Sequence, residues 1–178
     1  MFEGIYRKKE YLGFKKNIRH VCLLVEPSLQ LALRKGEREM IKKIDHIGIA
    51  VKSLQETLPF YTEILQLELL GIEEVASQKV KVAFLKLGES KLELLESTSA
   101  DSPIARFIET RGEGVHHVAL GVSTIAERIQ EMQEKGISMI DAIPRLGAAR
   151  SHIAFMHPKS THGVLYELCE NKIEAEGQ

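Results

Sequence analysis

The chain has no tryptophan and only two cysteines, Cys22 and Cys169, among its 178 residues. The two thiols share no CxxC spacing, which argues against a disulfide framework and makes a reducing cytoplasm the expected compartment. Charge of one sign is missing as well: 24 Lys/Arg stand against 25 Asp/Glu, a net charge of −1. Such a balance gives no global attraction to nucleic acid or to a membrane surface. Long hydrophobic runs are also lacking. The N-terminal apolar patch VCLLVEPSLQLAL is broken by Glu26-Pro27 and has no small-residue cleavage site after it, so it reads as neither a transmembrane helix nor a signal peptide. The hydrophobic share of 44% and charged share of 28% are those of a globular chain, long enough for one domain or two small fused units.

What is present is unevenly placed. Residues 1–39 hold nine Lys/Arg and five Asp/Glu, a balance of +4, while the remainder carries −5. The stretch RKGEREM at 34–40 is what a purine-rich ribosome-binding tract ahead of a start codon gives when translated. Residues 1–39 are therefore expected to be an N-terminal extension, non-native or poorly ordered, ahead of a domain at 40–178.

That domain contains a duplication. HIGIAV, from His46, lies over HVALGV, from His117, at an offset of 71 positions. The register continues: Leu54 meets Ile125, Glu56 meets Glu127 and Leu58 meets Ile129, and further on KLELLE matches YELCE. Period-two alternation predicts strands at 44–51, 68–75, 79–87 and 91–96, with a turn at Gly88-Glu89-Ser90. Leu54, Leu58, Tyr61 and Leu65 sit at helical spacing over 53–65 behind Ser53, a suitable N-cap. A short helix is expected at 102–110, ending near Gly112. The second half repeats the plan: strand 115–122, helix 123–135 closed by Gly136, and strands near 137–142, 151–156 and 163–170. Each half is βαβββ.

The repeat sorts out the histidine pair in GVHHVALGV. His117, not His116, is the equivalent of His46. Successive strand residues face opposite ways, so His46, Gly48 and Ala50 share a face, as do His117, Ala119 and Gly121. The bulky residues between them are expected beneath the helices, and the small residues beside each histidine leave room above the sheet. His116 is expected to be an ordinary surface or edge residue, and His20, His152, His157 and His162 fall outside the register.

Two glutamates also fall at matching places, Glu93 and Glu167, which follow their histidines by 47 and 50 residues. A lone strand histidine is more often a hydrogen-bonded structural residue than a ligand, and a lone glutamate is usually solvated. Four at repeat-equivalent positions on faces of small residues point instead to a metal site between the halves. Imidazoles with carboxylates suit a borderline or hard divalent ion such as Co, Ni, Zn, Mn or Fe.

The stretches DHIGIAV, SQKVKVAFLKLGESKLELLE, DSPIARFIE, GEGVHHVALGV and IAFMHPKSTHGVLYEL resemble the vicinal oxygen chelate superfamily and, within it, the methylmalonyl-CoA epimerases. The likeness covers residues 41–171. It implies an α+β fold in which two tandem βαβββ modules, about 41–100 and 113–171 with a helical linker at 101–112, form an open eight-stranded barrel-like sheet around a metal site. It further implies a homodimer that epimerises an acyl-CoA, methylmalonyl-CoA, by removing the proton next to the thioester while a metal stabilises the enolate. Cobalt is the metal the likeness favours, with Zn, Ni, Mn or Mg as alternatives. His46, Glu93, His117 and Glu167 would be its ligands, with Glu167 also serving as a catalytic base.

The chain departs from the pattern at Val82, which stands where some relatives carry a glutamate as second base. Gln78, on the same strand face by period two, is polar but a poor base. In RLGAAR, at 145–150, backbone N–H groups of Gly147 and Ala148 could receive a substrate oxygen, and Arg150 the acid or a CoA phosphate. Two other functions remain open at this point: a glyoxalase I type lactoylglutathione lyase with the same ligand geometry, and a metal-free small-molecule-binding relative. An extradiol dioxygenase, which needs two histidines and one carboxylate, is disfavoured by the fourth candidate, Glu93.

Overall fold

A computed structural model describes residues 41–171. Strand β1 (Lys43–Val51) leads into helix α1 (Leu54–Pro59), which continues as a wider π-helical turn at Phe60–Ile64. Strands β2 (Leu69–Val75), β3 (Val80–Leu87) and β4 (Ser90–Ser97) complete the first half. Helix α2 (Pro103–Arg111) links to β5 (Gly114–Gly121), α3 (Ile125–Glu134), β6 (Arg145–Leu146), β7 (His152–Met156) and β8 (Tyr166–Glu170). The eight strands make one sheet in the order β2-β3-β4-β1-β5-β8-β7-β6. The two modules therefore mirror each other about the β1–β5 junction, where the strands run antiparallel. In each half the first strand lies parallel to the last, β1 to β4 and β5 to β8. This is the α+β, open eight-stranded sheet of tandem βαβββ modules that the resemblance implies.

The helices start where the caps allow. Ser53 Oγ accepts from the Glu56 N–H at 3.3 Å, and Ser102 Oγ from the Ala105 N–H at 3.0 Å, ahead of Pro103, each satisfying a donor that the first turn leaves open. At the other end α2 stops at Gly112, whose φ of 78° suits a residue without Cβ. The apolar residues between the histidines go beneath the helices as expected. Ile49 packs with Leu54, Leu58 and Tyr61, and Leu120 with Ile125 and Ile129. On the opposite, concave face Ala50 packs with Val82, Leu95 and Ile104, and Ala119 with Ile153 and Phe155.

Three local expectations are corrected. Leu65 does not join the helix stripe. The π turn, in which the Leu65 N–H reaches back five residues to Phe60 O at 3.0 Å, shifts the helix phase by one residue and leaves Leu65 48% exposed. The strand expected near 137–142 is a single bridge, Met139 to Met156, and the edge strand is the two-residue β6. There the Asp141 carboxylate, not a backbone carbonyl, accepts the Phe155 N–H at 2.9 Å. Pro144 has no N–H to carry a ladder onward. Gln78 is not on a strand: it closes a single 3₁₀ turn, Ala76–Gln78, before Lys79 at φ 54°.

The β1–β5 junction also holds two register breaks. Ile44 pairs with Leu120 and His46 with Ala119, so Asp45 is extra. Gly48 pairs with His117 and Ile49 with Val115, so His116 is extra. Both are β-bulges, and both lie immediately before a histidine of the repeat. A bulge cancels the alternation that would send neighbours to opposite faces.

Candidate metal centre

The sheet register brings the four acid and imidazole residues together on neighbouring strands. On β1 His46 is opposite Ala119 and on β5 His117 is opposite Gly48, so each ring lies over a small residue of the other module. On the flanking strands Glu93 is level with Gly48, and Glu167 with Ala119. All four are buried, at 3–6% exposure, on the concave face of the sheet.

His46 Nε2 and His117 Nε2 stand 3.1 Å apart with the rings edge to face. Glu167 reaches both: Oε1 is 3.6 Å from His46 Nε2 and Oε2 is 3.6 Å from His117 Nε2. One ligand atom from each of these three residues falls within 4.8 Å of the other two. Glu93 approaches from the far side of the same ring, with Oε1 3.4 Å from His46 Nδ1. The group thus gathers three of the expected four at one point, with the fourth alongside.

Burial and proximity set the protonation. Burial pushes the Glu167 carboxyl up to about 8 and raises Glu93 as well. For His46 burial works against the charged form, but Glu93, Asp45 and Glu167 outweigh it and hold the ring above the ordinary imidazole range. His117 moves the other way, well below that range, through burial and then the charges of His46 and His116. Oppositely shifted neighbours in a cleft are the pattern of a functional centre.

The donor set fits a divalent metal. Glu167 Oε1 is buried and has no hydrogen-bond partner, which is costly for a carboxylate oxygen unless something else occupies its lone pairs. The 3.1 Å between the two Nε2 atoms is what two nitrogens, each roughly 2.1 Å from one ion, would show. Imidazole and carboxylate together suit Zn, Co, Ni or Mn rather than a soft thiolate-seeking ion.

Above the cluster is a cavity of about 590 Å³, in the range of small-molecule sites. Val82 and Gln78 both line it, from the strand and from the 3₁₀ turn. Of the RLGAAR segment, Ala148 lines it but Arg150 does not and is exposed. Of the two backbone donors expected there, the Gly147 N–H donates to Ser151 O at 2.9 Å; the neighbouring Ala149 N–H donates to Glu73 Oε2 at 2.9 Å. Lys79 and Arg106 line the cavity too, and from this segment so does Arg145. Its Nε donates to Asp141 Oδ1 at 3.1 Å, and its guanidinium lies 5.4 Å from the Phe155 ring centre.

The placement of His116 is a further correction. It lines the cavity, and its Nδ1 is 2.9 Å from His117 Nδ1. The bulge described above turns it to the same side as its neighbour. Asp45, also passed over, is 2% exposed and meets His46 Nδ1 with Oδ1 at 3.0 Å. The repeat alignment, which sets Asp45 over His116, was the available signal for both.

A model of the glyoxalase/bleomycin resistance protein/dioxygenase superfamily matches residues 45–155. The Bos taurus protein named methylmalonyl-CoA epimerase, mitochondrial, is 33% identical over 159 residues, 88% of this chain and 91% of that one. Among solved structures, a hypothetical protein from Bacillus halodurans C-125 is similar at a TM-score of 0.72 and 58% identity, over 73% of this chain and 94% of that one. Streptomyces coelicolor methylmalonyl-CoA epimerase in complex with 2-nitronate-propionyl-CoA is similar at a TM-score of 0.72 and 38% identity, over 74% of this chain and 96% of that one. Among the described residues, no helix is long and apolar enough to cross a membrane.

Proposed function

The chain belongs to the glyoxalase/bleomycin resistance protein/dioxygenase superfamily, and we propose that it is a metal-dependent epimerase of methylmalonyl-CoA. The observation that carries this reading is the buried convergence of His46, His117 and Glu167, one carboxylate oxygen unpartnered, at the floor of a ligand-sized cavity. The named relatives at 33% and 38% identity support the choice of substrate.

Epimerisation removes the proton at the carbon between the thioester and the carboxylate, then returns one on the other face. His46 Nε2, His117 Nε2 and Glu167 would hold the metal, with Glu93 beside them. When bound, the ion supplies positive charge where the enolate oxygen develops. Glu167 takes the proton: its carboxylate is buried on the cavity side and lies within 3.6 Å of both imidazoles, so the group beside the reacting carbon is a desolvated base. Val82, at the cavity wall, can neither accept nor donate one, so protonation of the second face does not use that position. Arg145, held by Asp141 over the Phe155 ring, meets the free carboxylate of the substrate.

The test is deuterium uptake at C2 of methylmalonyl-CoA in heavy water, with and without a chelator. Uptake that depends on metal is expected. Uptake unchanged by complete metal removal sinks the metal-dependent mechanism, and no uptake by metal-loaded protein sinks the epimerase reading.

A further inference from the structure

From the two bulges on the central strands, we infer that Asp45 and His116 are the positioning residues of the metal centre. Each holds Nδ1 of the histidine that follows it, so that the Nε2 atoms face the shared point. This rests on the metal reading above and deepens it.

The geometry is the same in both halves. Asp45 Oδ1 meets His46 Nδ1 at 3.0 Å and His116 Nδ1 meets His117 Nδ1 at 2.9 Å, while the two Nε2 atoms face each other at 3.1 Å. A ring that binds through Nε2 carries its proton on Nδ1, and the group that accepts it fixes both tautomer and orientation. Asp45 supplies a carboxylate oxygen, and His116 the Nδ1 lone pair of an imidazole. Ordinary alternation would have sent both to the other face. The extra residue in each bulge brings each beside its histidine.

Both partners are fixed in turn. Asp45 accepts from Asn171 Nδ2 at 2.6 Å and lies 3.4 Å from Lys91 Nζ and 3.8 Å from Cys169 Sγ. Glu93 Oε1 also nears His46 Nδ1, at 3.4 Å, but Asp45 makes the shorter contact and the hydrogen bond. The His116 ring stacks edge to face on Phe107 of α2, with ring centres 5.0 Å apart. The modules thus repeat a position, not a residue type: an anion backs one ligand and a second imidazole backs the other.

The experiment measures Co²⁺ and Zn²⁺ affinity without substrate, by competition with a chromophoric chelator. It compares the full chain with His116→Leu, His116→Asn, Asp45→Leu and Asp45→Asn, and checks each fold by circular dichroism. The leucine variants are expected to lose roughly 10- to 100-fold in affinity. The asparagine variants, which keep an acceptor, should recover much of that loss, and the visible spectrum of bound Co²⁺ should change with the leucine variants. A folded His116→Leu within threefold of the parent affinity, spectrum unchanged, overturns the inference. Should Asp45→Leu fail to fold because of its other partners, the His116 pair decides the matter alone. Parent protein that binds neither ion overturns the centre itself, whereas deuterium uptake tests the epimerase reading separately.

Discussion

Gly48 and His117 are partners across the β1–β5 junction, and a Cβ on Gly48 would stand 2.2 Å from His117 Cε1. No real side chain tolerates that approach. The glycine is therefore needed for the space over it, with its backbone in the ordinary extended range of β1. Gly48→Ala is expected to leave the sheet folded while driving the His117 ring from its place. Metal stoichiometry and affinity should drop by roughly the tenfold or more that disturbing one ligand costs. A Gly48→Ala protein with parent affinity would mean that the ring has another position from which it binds equally well.

Glu93 and Glu167 are equivalent in the repeat but not in their surroundings. Glu167 touches both imidazoles and keeps one oxygen unpartnered, whereas Glu93 lies on the Nδ1 side of His46 only. Glu93→Gln is accordingly expected to keep much of its turnover once metal-loaded. Glu167→Gln, at matched metal occupancy, should bind substrate yet lose at least the roughly 10²-fold of a missing general base. Equal impairment of the two variants would make Glu167 a ligand alone.

The sheet and the positions of the four central side chains were legible in the sequence because the duplication repeats both periodicity and spacing. HIGIAV over HVALGV pairs His117 with His46, and the structure brings His46, His117 and Glu167 together. His116 was misjudged because strict alternation holds only where strands pair without bulges, and a bulge leaves no composition signal of its own. Leu65 failed for a similar reason: one extra residue in a turn rotates everything after it. Arg145 and Arg150 flank the same short segment with equal charge, and only the fold decides which enters the cavity. There the Asp141 carboxylate, which ties the Phe155 N–H to the Arg145 side chain, makes the choice.

Residues 1–39 lie outside the described residues, and the eight-stranded sheet, its helices and the cavity are described within 41–171. A chain that begins at Met40 is expected to fold, bind metal and exchange the C2 proton at the rate of the full chain. Thermal unfolding and deuterium uptake on the two chains check this. Loss of the folded state on truncation would assign the segment a place in the core or at a subunit contact.

Metal uptake should depend on pH in a direction set by Glu167. Burial raises its carboxyl to about 8, so in metal-free protein it is largely protonated at neutral pH, while a ligand must be ionised. His46, also held above its ordinary range, must lose a proton as well. Apparent affinity is therefore expected to rise by at least roughly tenfold per pH unit between pH 6 and 8, with Glu167 contributing no further rise above that. Stability follows the same sign. A carboxyl whose folded value exceeds its unfolded value of about 4.3 loses its favourable contribution as pH rises toward 8, and bound metal removes that loss. The difference in Tm between loaded and chelator-treated protein should widen from pH 6 to 8, and Glu167→Gln should flatten it. A difference independent of pH in the unsubstituted chain would show that the carboxyl is already ionised before the metal arrives.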